Sequence, residues 1–395
     1  MFPTLFILLA FAIALWQLSF SRWSKSTLWS ATITPLASII GSGFLIVGPV
    51  LGAHFGMWSP LVMALLCAVA YGFGHVLRYS IAHSAAPAAD QSEHILEHVS
   101  SWALGIAYII SVAYYLNLFG EFALSLFETV PVNSSKWVTT GVFVVILVLG
   151  WGKGFSALER AERITVSVKL AIIAALLVAL SIFAGSLIST EGPILSKSEP
   201  PSLDSLFLIF GLLVTVQGFE TSRYLGASYD AETRIRSMRW AQWISASIYI
   251  IYVTLLVMFV PIPREGVNET EIITLMQGVA VILPPLLVIG ALSAQFSAAV
   301  ADTAGGGGLF VELTARRISQ RQSYAILVGV GIALTWSSDV FAIIAYASRA
   351  FAVYYALQAA LAAHLAWRRK EQRWIVYAGF ALLGIAIALF GTAIE

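Results

Sequence analysis

Long runs of apolar residues, separated by short polar segments, extend along almost the whole chain. Each run is roughly 17 to 30 residues long, and a helix of about 20 residues crosses the ~30 Å of hydrocarbon in a bilayer. The runs lack the alternation of apolar and polar positions that is typical of a membrane-spanning strand. The pattern therefore predicts an all-α polytopic membrane protein with about twelve transmembrane helices. The predicted spans are residues 2–20, 28–52, 59–79, 101–127, 137–152, 164–187, 204–227, 240–261, 283–313, 322–337, 339–367 and 374–393.

Composition and charge agree with a chain that is surrounded by lipid. Apolar residues make up 59% of the 395 residues and charged residues 11%, whereas a soluble domain is about half apolar and about a quarter charged. The net charge of +1 excludes a nucleic-acid-binding protein. The single cysteine, Cys67, lies inside an apolar run and excludes a disulfide framework.

Lysine and arginine are divided unequally between the alternate loops of this arrangement. One side holds three of them: Lys136, Lys197 and Arg264. The other side holds seventeen: Arg22, Lys25, Arg78, Lys153, Arg160, Arg163, Arg223, Arg234, Arg236, Arg239, Arg316, Arg317, Arg321, Arg368, Arg369, Lys370 and Arg373. Because loops rich in lysine and arginine remain in the cytoplasm, we expect cytoplasmic basic loops and both termini outside. The expected location is the bacterial inner (plasma) membrane.

The ten spans between residues 28 and 367 divide into two groups of five. Since five is odd, the second group enters the membrane in the opposite orientation, which is the layout of an inverted-repeat transporter. The predicted organisation is a first repeat at 27–187, an outer loop at 188–203 and a second repeat at 204–367. An extra helix lies at each end, at 1–22 and 374–395. The first run is not expected to be a signal peptide, because its basic residues follow the apolar stretch instead of preceding it.

The first span of each repeat contains a polar interruption near its middle. The first interruption consists of Ile40, Gly41, Ser42 and Gly43, and the second of Gln217, Gly218, Phe219 and Glu220. A helix that unwinds there exposes backbone N–H groups and a helix dipole to a ligand anion. The alternative is a pair of small-residue packing seams, but the matched positions favour a binding site. We therefore expect a small solute with a carboxylate between the interruptions, with Tyr114 as a further binding residue.

Several of these motifs resemble those of the amino acid–polyamine–organocation (APC) transporter superfamily. The stretch Ile39 to Phe44 is similar to the glycine motif of that family's first helix, and Gly218-Phe219-Glu220 to its sixth-helix motif. Lys169 matches a fifth-helix lysine of proton-coupled members, and Thr314 to Arg317 resembles a short basic motif after the eighth helix. The resemblance covers about residues 28 to 370. The chain departs from the family in its extra first span, in a missing proline-containing signature after the sixth helix, and in Asp302 with the glycines 305–308.

The resemblance implies a fold with a LeuT-like 5+5 inverted repeat and a secondary active transporter that works by alternating access. The implied solute is an amino acid or a related carboxylate or amine, and no cofactor or metal is expected. The expected partners are this small-molecule solute, a coupling proton or sodium ion, and the lipid bilayer. The oligomeric state stays open.

Four ionisable residues stand out inside predicted spans, where such a group needs a partner or a function: Lys169, Asp302, Glu121 and Arg349. The resemblance implies that Lys169 occupies the place of a sodium ion and exchanges a proton, and the alternative is that its amine snorkels to the headgroups. Asp302, with Thr303, lies near the middle of its span and is predicted to take part in coupling. One alternative role for Asp302 is a hydrogen bond that holds its helix to a neighbouring helix. Another is a sodium site that it forms together with Thr303. Contact between Lys169 and Asp302 is plausible from their depths.

Glu121 and Arg349 have opposite charge and comparable depth near the outer ends of their spans. An ion pair between them is expected, and it would act either as an outer gate or as a static brace. A third possibility is that Arg349 binds the substrate carboxylate directly.

One motif points to a different class of protein. Residues 94–98 fit the H-x-x-E-H signature, in which two histidines and a glutamate bind catalytic zinc. The motif lies in a segment, 83–100, that reads as a charged surface helix, so a zinc-dependent or intramembrane hydrolase is the second interpretation. A channel or receptor is the third. A divalent-metal carrier is disfavoured, because the first interruption lacks carboxylate and amide ligands.

Overall fold

The structure is a computed structural model that describes residues 2–41, 43–83, 91–127, 129–152, 156–188, 192–194, 202–227, 229–264 and 267–393. Within these ranges the regular structure is entirely helical. The α-helices are α1 (Phe2–Phe20), α2 (Thr27–Ile39), α3 (Gly43–Phe55), α4 (Ser59–His83), α5 (Gln91–Leu124), α6 (Ser134–Gly152), α7 (Ser156–Ile188), α8 (Leu203–Gly211), α9 (Ala231–Phe259), α10 (Glu271–Gln277), α11 (Leu283–Leu313), α12 (Gln320–Ser337), α13 (Val340–Arg368) and α14 (Trp374–Phe390). Short 3₁₀ segments follow α8, at Leu213–Val216 and Phe219–Ala227.

Every predicted span contains at least one of these helices, so the expectation of an all-α polytopic membrane protein is confirmed. Seven described stretches are long and apolar enough to cross a membrane: Gly43–His83, Gln91–Leu124, Ser134–Trp151, Thr165–Ile188, Ala231–Phe259, Leu283–Leu313 and Val340–Arg368. Two shorter apolar helices, Thr4–Phe20 and Trp374–Phe390, lie near the two ends. The count of twelve crossings and the repeat boundaries stay predictions.

The helices begin where short polar side chains can accept hydrogen bonds from the first free N–H groups. Five helices start in this way, and the capping residues are Ser26 for α2, Ser202 for α8, Asp230 for α9, Ser319 for α12 and Asp339 for α13. Asp230, for example, accepts from the Thr233 backbone N–H at 2.8 Å. These exposed hydrogen bonds also hold the pKa of the Asp230 carboxyl below its ordinary value.

The central helix is α5, which packs along its buried length against α11 and α13. The four consecutive glycines of α11 allow part of this approach, because a Cβ atom at Gly306 would already lie 3.4 Å from Tyr108 Cβ on α5. A Cβ atom at Gly307 would lie 2.2 Å from the Tyr324 ring on α12. Since α11 runs without a break through these glycines, Gly306 and Gly307 serve close helix packing and not local unwinding.

The extra first helix, α1, packs against α7 on the outside of the molecule. Large apolar side chains cover its remaining surface and are exposed: Leu5, Phe6, Leu9, Ile13, Trp16 and Phe20. An apolar helix surface of this kind is stable only against lipid or another apolar surface. The interior that could hold a solute therefore lies among α2 to α13.

Candidate functional site

The first interruption separates α2 from α3. Helix α2 ends at Ile39, Ile40 leaves helical geometry with φ −84° and ψ 62°, and α3 begins at Gly43. Ser42 lies outside the described residues. The break deprives the last carbonyls of α2 of their intrahelical partners. Two side chains replace them: the Lys169 amine donates to Ala37 O at 2.7 Å, and the Tyr249 hydroxyl donates to Ile39 O at 3.0 Å.

The second interruption follows α8. Gln217 is extended, with ψ 174°, and Gly218 has φ +119°. Only glycine adopts this conformation without strain. A Cβ atom at Gly218 would lie 2.5 Å from the backbone carbon of Ser38, so the position also has no room for a side chain. Gly218 therefore brings the backbone of the second interruption directly against the end of α2.

The two interruptions face each other and share one hydrogen-bond donor. The Tyr249 hydroxyl on α9 lies 3.0 Å from Ile39 O and 2.5 Å from Thr215 O, one carbonyl on each side. A Cβ atom at Gly43 would lie 2.9 Å from Thr215 Cα and 2.8 Å from the Tyr114 hydroxyl. Sequence analysis missed Tyr249, because neither its spacing nor its charge distinguishes it from other aromatic residues in the spans.

The freed N–H group at Gly218 is engaged by the protein itself. It donates to Glu220 Oε2 at 2.9 Å, and the Tyr355 hydroxyl donates to the same oxygen at 2.8 Å. In this conformation the N–H group has an acceptor within the protein, and its expected contact with a solute carboxylate stays a prediction. Phe219, the third residue of the interruption, stacks on the Tyr355 ring with 5.2 Å between centroids.

Gln217 lies beside these groups with one unused acceptor. Its amide nitrogen donates to the Tyr115 hydroxyl at 3.4 Å. Its Oε1 atom is buried and has no hydrogen-bond partner among the described residues. An unpartnered buried oxygen costs about 1–3 kcal/mol, so a ligand N–H at this position would relieve that cost.

Lys169 reaches inward from α7 and does not snorkel. Its side chain is 3% exposed, and its amine caps the C-terminal end of α2, where a cation also interacts favourably with the helix dipole. A cavity of about 20 Å³ lies beside it, between Gly41, Phe44 and the α11 residue Ala291. This volume holds roughly one water molecule.

Asp302 is buried on α11 and accepts a hydrogen bond from the Ser111 hydroxyl of α5. Thr303 donates at 2.6 Å to Ala299 O of its own helix. The described partners of Lys169 and Asp302 thus lie on different helices, α2 and α5. Tyr108 and Tyr115 lie within electrostatic range of both Asp302 and Glu220, so α5 presents tyrosine hydroxyls to the two buried acids.

Glu121 and Arg349 do not form the expected ion pair. Arg349 donates from Nε to Ala388 O at 2.8 Å and from Nη2 to Leu389 O at 3.2 Å. It therefore caps the C-terminal end of α14, where carbonyl groups lack intrahelical partners. The similar depths of Glu121 and Arg349 in the sequence did not suffice to predict an ion pair, because these backbone carbonyls compete for the guanidinium.

An ion pair does form at the opposite end of α5, near its N-terminal turns. Arg223, in the 3₁₀ segment after the second interruption, donates to both carboxylate oxygens of Glu97 on α5 at 2.6 and 2.7 Å. Arg223 also donates to the side-chain oxygen of Gln358 on α13, and Gln358 donates to Ser100 at 2.6 Å. We call Glu97, Arg223 and Gln358 the clasp. It fastens the 3₁₀ segment to α5 and α13.

The clasp also explains the H-x-x-E-H motif. Its glutamate, Glu97, is occupied by Arg223, and His98 Nε2 accepts a hydrogen bond from Trp102 Nε1 at 3.2 Å. Across the described ranges, no group of three potential metal ligands comes together. The motif thus belongs to the first turns of α5, and its glutamate serves an ion pair.

Comparisons with known proteins agree with this architecture. A family model described as an APC superfamily transporter matches residues 21–391. An uncharacterized protein of Aquifex aeolicus (strain VF5) is 41% identical over 381 residues, which cover 94% of this chain and 92% of the relative.

Proposed function

Because the chain belongs to the APC transporter superfamily, we propose that it is a secondary active transporter of a small organic solute that works by alternating access. The solute is an amino acid or a related carboxylate or amine. The observation that carries the proposal is the pair of interruptions that face each other at Tyr249. Interrupted helices in matched positions are the feature that builds solute sites in inverted-repeat carriers.

The solute binds between the two interruptions. Its carboxylate meets the N-terminal end of α3, where helix N–H groups lack partners and the dipole is positive. Its amino group donates to the unpartnered oxygen of Gln217. Glu220 already holds the Gly218 N–H group, so the first interruption and not the second supplies the anion contact. Tyr114 and Tyr115 close this space from α5.

Proton coupling is assigned to Lys169. Protonated, its amine neutralises the negative end of the α2 dipole and satisfies Ala37 O. Neutral, it holds the same carbonyl less strongly, because a hydrogen bond from a charged donor is roughly twice as strong as a neutral one. Loss of the proton therefore favours separation of α2 from α7. In this way the protonation state of Lys169 is coupled to the conformation of the solute site. Asp302 and Thr303 complete the polar interior on α11.

Alternating access requires that each side of the site closes in turn. With the basic loops in the cytoplasm and the termini outside, the clasp of Glu97, Arg223 and Gln358 is the cytoplasmic closure. It lies directly after the second interruption, so its opening frees the 3₁₀ segment from α5 and α13.

The site assignment is tested by substitution of Gly41. A Cβ atom there would lie 3.3 Å from Ser38 O and 3.5 Å from the Tyr115 ring, so Gly41→Val fills the first interruption. Uptake of a mixture of radiolabelled amino acids into proteoliposomes is expected to fall to background, with normal expression. Gly141→Val on α6 is the control, because a Cβ atom there meets nothing within 4 Å. Unchanged uptake in Gly41→Val would remove the solute from this interruption.

A further inference from the structure

Three arginines from separate parts of the chain converge at one corner of the basic side. They are Arg78 on α4, Arg239 on α9 and Arg373 just before α14, and we call them the arginine corner. All three lie within electrostatic range of the imidazole of His75, which is exposed on α4. Like charges repel each other at such separations, so their convergence needs an explanation.

The guanidinium of Arg78 is buried without an opposite charge. The residue is 5% exposed, donates to Gln242 Oε1 at 2.5 Å and lies 4.6 Å above the centre of the Tyr71 ring. No described carboxylate forms an ion pair with Arg78, Arg239 or Arg373 within 4.0 Å. A buried charge that is only partly compensated is costly, and an anion that enters the corner would lower that cost.

A buried hydroxyl provides the second, independent observation. Tyr377 on α14 is fully buried; the Arg373 side chain is a hydrogen-bond donor to its hydroxyl, and among the described residues the hydroxyl itself donates to no acceptor. The guanidiniums of Arg373 and Arg78 lie near this hydroxyl, and its ring lies 5.7 Å from that of His75. The neighbouring carboxylate of Glu371 accepts instead from Tyr79 at 3.1 Å. The corner therefore offers several donors and, among the described residues, no carboxylate that forms an ion pair with its arginines.

A groove on the surface of α9 leads to the corner. Arg236, Arg239, Trp240 and Trp243 line a space of about 530 Å³. Trp240 is 52% exposed and Trp243 58% exposed, as is typical of tryptophans at a membrane–water interface. The Trp243 ring lies 5.6 Å from Tyr71, whose ring carries the Arg78 guanidinium. The groove therefore places the corner at the level of the lipid headgroups.

We propose that the arginine corner binds the phosphate of an anionic lipid headgroup from the cytoplasmic leaflet. The inference rests on the proposed orientation, in which this side faces the cytoplasm. Guanidinium groups pair well with phosphate oxygens, and basic pockets between helices on this side of a membrane suit anionic headgroups. The Tyr377 hydroxyl donates to a further phosphate oxygen. The bound lipid joins α4, α9 and the start of α14.

The test uses the full chain, purified in detergent, and measures binding by native mass spectrometry with titrated lipid. Phosphatidylglycerol is expected to bind more tightly than phosphatidylcholine. Arg239→Gln and Arg373→Gln each weaken phosphatidylglycerol binding about fivefold, which corresponds to about 1 kcal/mol for each arginine. Arg321→Gln, an exposed arginine at the start of α12, is the control and leaves binding unchanged. A titration with inorganic phosphate separates a free-phosphate site from a lipid site.

Phosphatidylglycerol binding that is unchanged in both corner variants would overturn the proposal, and so would a corner that takes inorganic phosphate but not the lipid. Tyr377→Phe adds a measurement that distinguishes contact between the hydroxyl and the lipid from a purely structural role of the hydroxyl. Because its hydroxyl donates to no described acceptor, the lipid-free variant is expected to lose little thermal stability and yet bind the lipid less tightly. Unchanged lipid affinity in this variant would contradict the hydroxyl contact. Since these measurements involve no solute, their failure leaves the transport proposal standing.

Discussion

At the scale of single residues, the Tyr249 hydroxyl carries more of the site than any residue that the sequence singled out. Its single donor proton is shared between two carbonyls that flank the interruptions, Ile39 O and Thr215 O. Tyr249→Phe leaves both buried oxygens without that donor, which we expect to cost about 1–3 kcal/mol and to lower the Tm of the purified protein. Tyr252→Phe is the matched control, because its hydroxyl makes one longer bond, 3.2 Å to Leu45 O. Equal losses in the two variants would contradict a special role for Tyr249.

The sequence singled out Lys169 and Asp302, which are buried, but it did not predict their hydrogen-bond partners. Lys169 and Asp302 stood out because ionisable side chains are rare inside spans. The acceptor of Lys169 is a backbone carbonyl that is exposed only because α2 breaks, and no side-chain pattern reports such a group. For Glu121 and Arg349, the sequence suggested a partner that the structure does not show. Opposite charge at similar depth gives no information about the backbone carbonyls that bind the arginine instead.

At the scale of helices, Arg349 on α13 stabilises the C-terminal end of α14. It holds the carbonyls of Ala388 and Leu389, and the backbone of Thr392 then donates to Phe207 O of α8 at 3.1 Å. We expect Arg349→Ala to destabilise the protein by about 1 kcal/mol, as for the loss of a cation at a helix C-terminus. Arg349→Lys should restore part of the Tm, because it restores the charge. The double swap Glu121→Arg with Arg349→Glu should give no rescue, and a rescue would mean that the two side chains do meet.

A second prediction at the scale of helices concerns opening of the clasp. The rate at which the single cysteine, Cys67, is modified reports on that opening. Cys67 lines a small cavity with Ile39, Val216 and Tyr249, at the meeting point of the two interruptions. Glu97→Gln removes the charged partner of Arg223; because the Glu97 side chain is 42% exposed, the pair is worth about 1 kcal/mol. We therefore expect a membrane-permeant thiol reagent to modify Cys67 about fivefold faster. Glu93→Gln is the control, since its pair with Arg368 links α5 to α13 and does not touch the 3₁₀ segment. Unchanged modification in Glu97→Gln would mean that the clasp does not close the site.

The positions of the helices followed from the sequence because apolar length and glycine placement act locally. The breaks after Ile39 and Gly211 fall in the spans that the polar interruptions marked. The segment 83–100 was expected to be a charged surface helix. Residues 84–90 lie outside the described residues, and from Gln91 onward the segment is the start of α5. Its polar side chains have partners on distant elements, as Glu97 has in Arg223, and such long-range pairing cannot be read from local periodicity.

For the whole molecule, membership of the APC superfamily and the helical architecture agree with the sequence prediction of a polytopic carrier. The number of crossings, the repeat boundaries and the orientation of the loops stay predictions. Maleimide labelling of single cysteines placed at residues 264 and 321 in a Cys67→Ala background checks the orientation. We expect reaction with an impermeant reagent outside the cell at 264 and not at 321, because the basic loops stay in the cytoplasm. The opposite labelling would invert the topology.

The central claim is that a proton taken up at Lys169 drives solute movement. Its most direct test is accumulation of a mixture of radiolabelled amino acids by proteoliposomes under an imposed pH gradient, without sodium. The wild-type protein should accumulate label and carry protons with it, whereas Lys169→Ala should lose proton-driven accumulation, because the capping amine at Ala37 O is gone. Accumulation that requires sodium, ignores the pH gradient and survives Lys169→Ala would contradict the account and assign coupling to a cation site instead.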